Sequence, residues 1–200
     1  MTLAIIIITV LVSLWCFRER RIFETLLLSP YRMTHRKEWW RMITHGFVHA
    51  DFMHLAINML VFYSFAVPME HIFKELTLLP ALHFLLLYFG GMAVATISSI
   101  VKHKKDMNYR SVGASGAVAA ILFAYMFFQP WSKLMIMGVL PMPGIVFAPI
   151  YLLYSMYMSK RGSDNINHDA HFYGAAFGFI YPLLIDPSLW NVFIRQLLHA

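Results

Sequence analysis

Gly113-Ala114-Ser115-Gly116-Ala117-Val118-Ala119-Ala120-Ile121-Leu122-Phe123-Ala124-Tyr125-Met126-Phe127-Phe128 reads as one apolar helix with a lone hydroxyl in its first turn. A polar side chain in such a helix is costly in lipid unless it lines a cavity or pathway. These sixteen residues rise only about 24 Å, less than an about 30 Å hydrocarbon core. The spacing predicts an N-terminus sunk below the membrane surface, with Ser115 in a cavity. A second apolar run, Ala170 to Ile185, carries His171 in its first turn.

Composition places the whole chain in the membrane. Sixty per cent of the 200 residues are hydrophobic and 13% are charged, against roughly a quarter charged in a soluble domain. Apolar runs recur along nearly all of the sequence and leave room for one domain, residues 1–200. The net charge of +6 falls between the runs, where it meets lipid headgroups, and no basic and aromatic pattern for nucleic acid is present. The single cysteine, Cys16, excludes an intrachain disulfide. Met1 to Cys16 has neither a basic leader nor a small-residue cleavage site, so it reads as a retained helix.

Six segments are expected to cross as an all-α bundle: Thr2 to Phe17, Phe52 to Met69, Leu76 to Val101, Gly113 to Phe128, Met135 to Met158 and Ala170 to Ile185. The long connection from Arg18 to Ala50 pairs Arg18, Arg20, Arg21, Arg32, Arg36, Lys37 and Arg41 with Trp39 and Trp40, as an interfacial segment does. In the fifth segment Pro141, Pro143, Gly144 and Pro149 predict a kinked, loosely held helix. No internal repeat supports a transporter of the inverted-repeat kind.

Even-numbered segments of a six-helix serpentine run parallel. Their N-terminal parts carry His54 with Asn58, then Ser115, then His171, so four polar side chains share one side of the membrane. Ser115 and His171 make a nucleophile and base, since a neutral imidazole takes a serine proton near pH 7. Asp169 lies about 200° round the helix from His171 and Asp164 falls in the preceding polar stretch, which points to a dyad rather than a triad. The unpaired N–H groups of the serine helix, with His54 and Asn58 at i, i+4 on one face, form a plausible oxyanion hole. Gly113, Gly116, Gly174 and Gly178 remove bulk so that the two helices can approach. His45, His49 and His54 form only a weak metal pattern, without the carboxylate of a metalloprotease motif, and no metal or cofactor is expected.

Trp40-Arg41, His49, His54-x-x-x-Asn58, Gly113-Ala114-Ser115-Gly116, and Ala170-His171 followed by Gly174 and Gly178 closely resemble the rhomboid family of intramembrane serine proteases. The resemblance implies a six-helix bundle with Ser115 as nucleophile and His171 as general base. It makes His54, Asn58 and the Ser115 backbone N–H the oxyanion site, with His49 and the glycines in support. It also implies transmembrane protein substrates cut near the ends of their helices, within the lipid bilayer and without metal or cofactor. Many bacterial members carry a tyrosine four residues after the nucleophile, packed on the catalytic histidine; here that position is Ala119. The competing classes are an inactive rhomboid-like adaptor and a small transporter.

Orientation divides two arguments. Thirteen of the sixteen Lys and Arg lie on the Ser115 side and only Lys74, Lys133 and Arg195 opposite, so the positive-inside rule turns the site toward the cytoplasm. The resemblance implies the reverse: a bacterial inner membrane with the site opening outward.

Overall fold

A computed structural model describes residues 1–136, 140–161 and 167–198. The chain runs through α1 (Thr2–Arg18), α2 (Arg20–Leu26), α3 (Pro30–Arg36), α4 (Arg41–Thr44), a 3-10 turn (His45–Phe47), α5 (Phe52–Leu76), α6 (Pro80–His103) and α7 (Ser115–Phe128). A short hairpin of β1 (Lys133–Ile136) and β2 (Leu140–Pro143) follows, then α8 (Gly144–Arg161), α9 (His168–Ile185) and α10 (Leu189–Leu198). The fold is all-α apart from the hairpin. α5 and α6 are long and apolar enough to cross a membrane, and α9 with α10, bent by 118°, passes the same test as a pair. α1 and α7 are shorter apolar helices.

The most enclosed helix is α7. Twelve of its fourteen residues, Gly116 to Ala124 and Met126 to Phe128, are buried. A helix apolar on every side belongs at the centre of a bundle, and α5, α6 and α9 surround it. Gly91 of α6 rests on Ala120, and Phe65 of α5 lies against Tyr125 at 5.4 Å. On α9, Gly174 abuts Gly116 and Gly178 abuts Ala120. Because both pairs advance together along the chain, α7 and α9 are parallel. The same test makes α5 parallel to α7, since His54 meets Gly113 and Phe65 meets Tyr125. α6 runs the other way, with His83 bonded to Tyr181 and Lys102 to Asp169. The serpentine expectation therefore holds for these elements, and His54, Ser115 and His171 lie at one end of the bundle.

Two readings of the sequence need correction, and one further helix lies beyond the six expected segments. The fifth segment is not one helix from Met135 to Met158: its first part forms β1 and β2, paired antiparallel with Lys133 opposite Pro143 and Met135 opposite Pro141. Pro141 and Pro143 lack the N–H that a helix interior needs but are tolerated on an edge strand, so α8 starts only at Gly144. Residues 137–139 of that segment lie outside the described residues. The third helix begins at Pro80, since α5 continues to Leu76, past the expected Met69. Finally, α10 follows a break at Asp186, whose carboxylate accepts from Ser188 N–H at 2.8 Å, and it returns Phe193 onto Phe127 and Phe179.

The Arg18–Ala50 connection is folded rather than merely laid on lipid. Arg41, counted above with the interfacial cations, is fully buried. Its Nε donates to Glu38 at 2.6 Å, and its Nη1 donates to the carbonyls of Leu27 at 2.5 Å and Glu24 at 3.1 Å. Arg32 donates to the same Glu38 carboxylate at 3.2 Å. Burial alone would raise the Glu38 carboxyl, but Arg41 and Arg32 hold it below the usual carboxylate range. An unpaired guanidinium would be expensive at this depth, so the carbonyls it binds fix the path of α2 to α4. A bridge between Leu28 and Ser111 ties that connection to the segment entering α7.

Candidate active site

Each polar residue at this end of the bundle has a local reason for its position. Asp51 caps α5, accepting from the His54 N–H at 2.7 Å, and so fixes the first turn that carries His54. Asn167 caps α9 by accepting from Ala170 N–H at 3.1 Å, and donates from its own amide to Ser99 of α6 at 2.8 Å. The turn bearing His171 is thereby tied to α6. Ser115 is the first residue of α7, where no side chain caps the helix, so its first-turn N–H groups stay available to an oxygen.

Gly113 is held at φ +111°, a conformation that favours glycine. A β-carbon there would sit 2.9 Å from His54 Nε2, so the imidazole lies directly over the turn that leads into Ser115. The Ala50 N–H donates to His54 Nδ1 at 3.5 Å, which leaves the His54 proton on Nε2, facing the same turn. Asn58 is buried one helical turn on, and one of its amide N–H groups donates to the His54 carbonyl at 3.0 Å. Its second N–H remains for a ligand.

His49 is fully buried edge-on to His54, with ring centroids 5.0 Å apart. The hydroxyl of Ser13 donates to the Phe47 carbonyl at 2.9 Å and, 3.0 Å from His49 Nδ1, accepts from that ring. α1 thus braces the histidine behind His54. His45 binds the Arg41 carbonyl through Nδ1 at 2.8 Å. Burial pushes the His45 imidazole down to about 4 and His49 down to about 3, so both are neutral. Among the described residues no three His, Cys, Asp or Glu converge as a metal cluster.

Glycine brings the two helices of the expected dyad together. A methyl group on Gly174 would collide with the Gly116 carbonyl, and one on Gly178 with the Ala120 carbonyl. A methyl group on Gly116 would collide with Ala95 of α6 and sit 3.4 Å from the Ala170 carbonyl. Ser115 and His171 are half-buried on the facing first turns. Behind Ser115 lies a cavity of about 20 Å³ lined by His45, Thr96, Ser99, Ser111 and Asn167, enough for one water.

Other contacts carried no signal in the sequence. The ring of Tyr151 on α8 lies nearly parallel to the His171 imidazole, at 6.4 Å and 17°, and the His168 ring stands edge-on to it at 6.0 Å. The Asp169 carboxylate is engaged by Lys102 at 2.6 Å and by the Ser159 hydroxyl. Asp164 lies outside the described residues.

Residues 36–188 match the model of the Rhomboid domain. The chain is 32% identical over 156 residues to the "Putative rhomboid protease YdcA" of Bacillus subtilis, covering 74% of this chain and 67% of that protein. It is 28% identical over 163 residues to the "Rhomboid protease GluP" of the same organism, covering 82% of this chain but only 29% of the relative. It is 28% identical over 150 residues to the "RHOMBOID-like protein 12, mitochondrial" of Arabidopsis thaliana, covering 68% of this chain and 43% of the relative.

Proposed function

Because the chain belongs to the rhomboid family and is an integral membrane protein, we propose that it is an intramembrane serine endopeptidase acting through a Ser115–His171 dyad. The observation that carries this reading is the glycine-mediated contact of α7 with α9, which brings the first turns bearing Ser115 and His171 close together, with the His54 imidazole over the turn that leads into Ser115. His171 takes the Ser115 Oγ proton as the oxygen attacks the scissile carbonyl. The oxyanion receives the Ser115 N–H, the His54 Nε2–H and the second Asn58 N–H. His171 returns the proton to the leaving amine, and the acyl-enzyme is hydrolysed by water drawn through the cavity behind Ser115.

The substrate in this reading is a membrane-spanning helix that enters past α8, whose outward face exposes Ile150, Leu153 and Tyr157. α1, α7 and α8 join α5, α6 and α9 as the six spans. The protein sits in a bacterial cell membrane with its site opening outward. Cleavage of a panel of single-span reporters in proteoliposomes tests the reading. Ser115→Ala and His171→Ala are each expected to abolish cleavage nearly completely, with the double variant little worse than either. Full activity in folded Ser115→Ala overturns it.

A further inference from the structure

α8 is the least embedded of the apolar helices, with only Gly144 and Ser155 buried among its residues. One stripe of it nevertheless meets the bundle through specific groups. Tyr151, Ser155 and Ser159 recur at i, i+4 and i+8, and so stack along one helix face. The ring of Tyr151 is packed among Phe147 at 5.3 Å, Phe123 at 5.6 Å and His171 at 6.4 Å. Two turns on, the Ser159 hydroxyl donates to Asp169 of α9, while Lys102 of α6 reaches Asp169 at 2.6 Å and Ser159 at 3.3 Å. Asp169 stands two residues before His171.

From this geometry we infer that Tyr151 is a positioning residue for His171, and that the Lys102–Asp169–Ser159 cluster fastens α8 so that this ring stays beside the imidazole while α8 is docked. The inference rests on the assignment of His171 as the base. A half-exposed imidazole can turn about two side-chain bonds; the buried His168 ring stands edge-on to it at 6.0 Å, and the nearly parallel Tyr151 ring restricts the rotation further. The stacking therefore comes from a helix that a membrane-spanning substrate must pass. Entry that displaces α8 withdraws Tyr151, and alignment returns when the hydroxyl of Ser159 regains Asp169.

The test is steady-state cleavage of a single-span reporter in proteoliposomes by the full chain, with Tyr151→Phe, Tyr151→Leu, Ser159→Ala and the Tyr151→Leu/Ser159→Ala double variant. Thermal unfolding in detergent reports whether each is folded. Tyr151→Phe keeps the ring and retains wild-type kcat. Tyr151→Leu lowers kcat about 10-fold, less than the about 10²-fold of a 1 Å misplacement, with KM little changed. Ser159→Ala lowers kcat more modestly alone and adds nothing in the Tyr151→Leu background, because both act through one contact. A folded Tyr151→Leu protein with wild-type kcat overturns the proposal, as do additive penalties in the double variant. Should Tyr151→Leu not fold, loss of kcat in Tyr151→Phe or wild-type kcat in Ser159→Ala overturns it equally. Absence of cleavage by the wild-type chain on every reporter defeats the protease assignment itself, and this inference with it.

Discussion

Replacing Gly174 by alanine places a methyl group on the carbonyl oxygen of Gly116, with the carbonyl carbon at 2.9 Å and Cα at 3.1 Å. These are backbone atoms in the middle of the bundle and cannot swing aside. An ordinary C···O contact is about 3.3–3.6 Å, so α9 must retreat from α7 by on the order of 1 Å. Overpacking of this kind costs about 1–3 kcal/mol, which a folded domain can survive. In the proposed dyad the same retreat separates His171 from Ser115, and a 1 Å misplacement at a reacting centre costs about 10²-fold. Gly174→Ala is therefore expected to lose about two orders of magnitude in kcat while remaining folded. Gly90→Ala is the matched control: its methyl group meets Phe177 Cζ at 2.8 Å, the far end of a side chain that can shift. It should perturb stability modestly and leave turnover nearly unchanged. Reporter cleavage in proteoliposomes, paired with thermal unfolding in detergent, reads both effects. A folded Gly174→Ala protein with wild-type kcat would refute the claim that this contact sets the dyad.

Three further outcomes follow from the same geometry. Asn58→Ala should lower kcat by about 10²-fold with a smaller change in KM, because in the proposed mechanism its second N–H serves the oxyanion; an effect confined to KM removes it from that role. His45 and His49 are buried and neutral, titrating near 4 and near 3, whereas the unfolded chain protonates them near 6.5. Stability is thus full above about pH 6.5 and falls as the pH drops, by roughly 3 kcal/mol for His45 alone at about pH 4. Denaturant titrations in detergent at neutral and acid pH check this, and a flat profile contradicts it. For orientation, cysteines at Asn108 and Lys133 in a Cys16→Ser background should differ on intact spheroplasts. An impermeant thiol reagent is expected to label Asn108→Cys and spare Lys133→Cys, and the opposite pattern places the site inward.

What could be read from the residues alone was whatever repeats along one helix. The i, i+4 relation of His54 and Asn58 and the glycine spacing of Gly174 and Gly178 are local, and the serpentine carried them to one end of the bundle. The apolar stretch from Met135 misled because a short apolar run does not distinguish strand from helix, although Pro141 and Pro143 favour the hairpin. Arg41 read as a headgroup cation because nothing local shows that Leu27, Glu24 and Glu38 converge on it. α10 did carry a signal, Leu189 and Phe193 at i, i+4, hidden behind the polar break at Asp186 to Ser188. Tyr151 could not be found this way, since its partner is twenty residues on and in another helix, and the alanine at 119 left open whether any ring stacks on His171.

The most direct test of the account is covalent capture of the nucleophile. A fluorophosphonate reacts with a serine only when a neighbouring base activates its hydroxyl. Intact mass and peptide mapping of the protein in detergent at neutral pH should find one adduct, on Ser115, absent in Ser115→Ala and nearly absent in folded His171→Ala. Adduct formation on Ser115 at the wild-type rate in folded His171→Ala, or no adduct on Ser115 in a wild-type protein that cleaves reporters, would contradict the Ser115–His171 dyad.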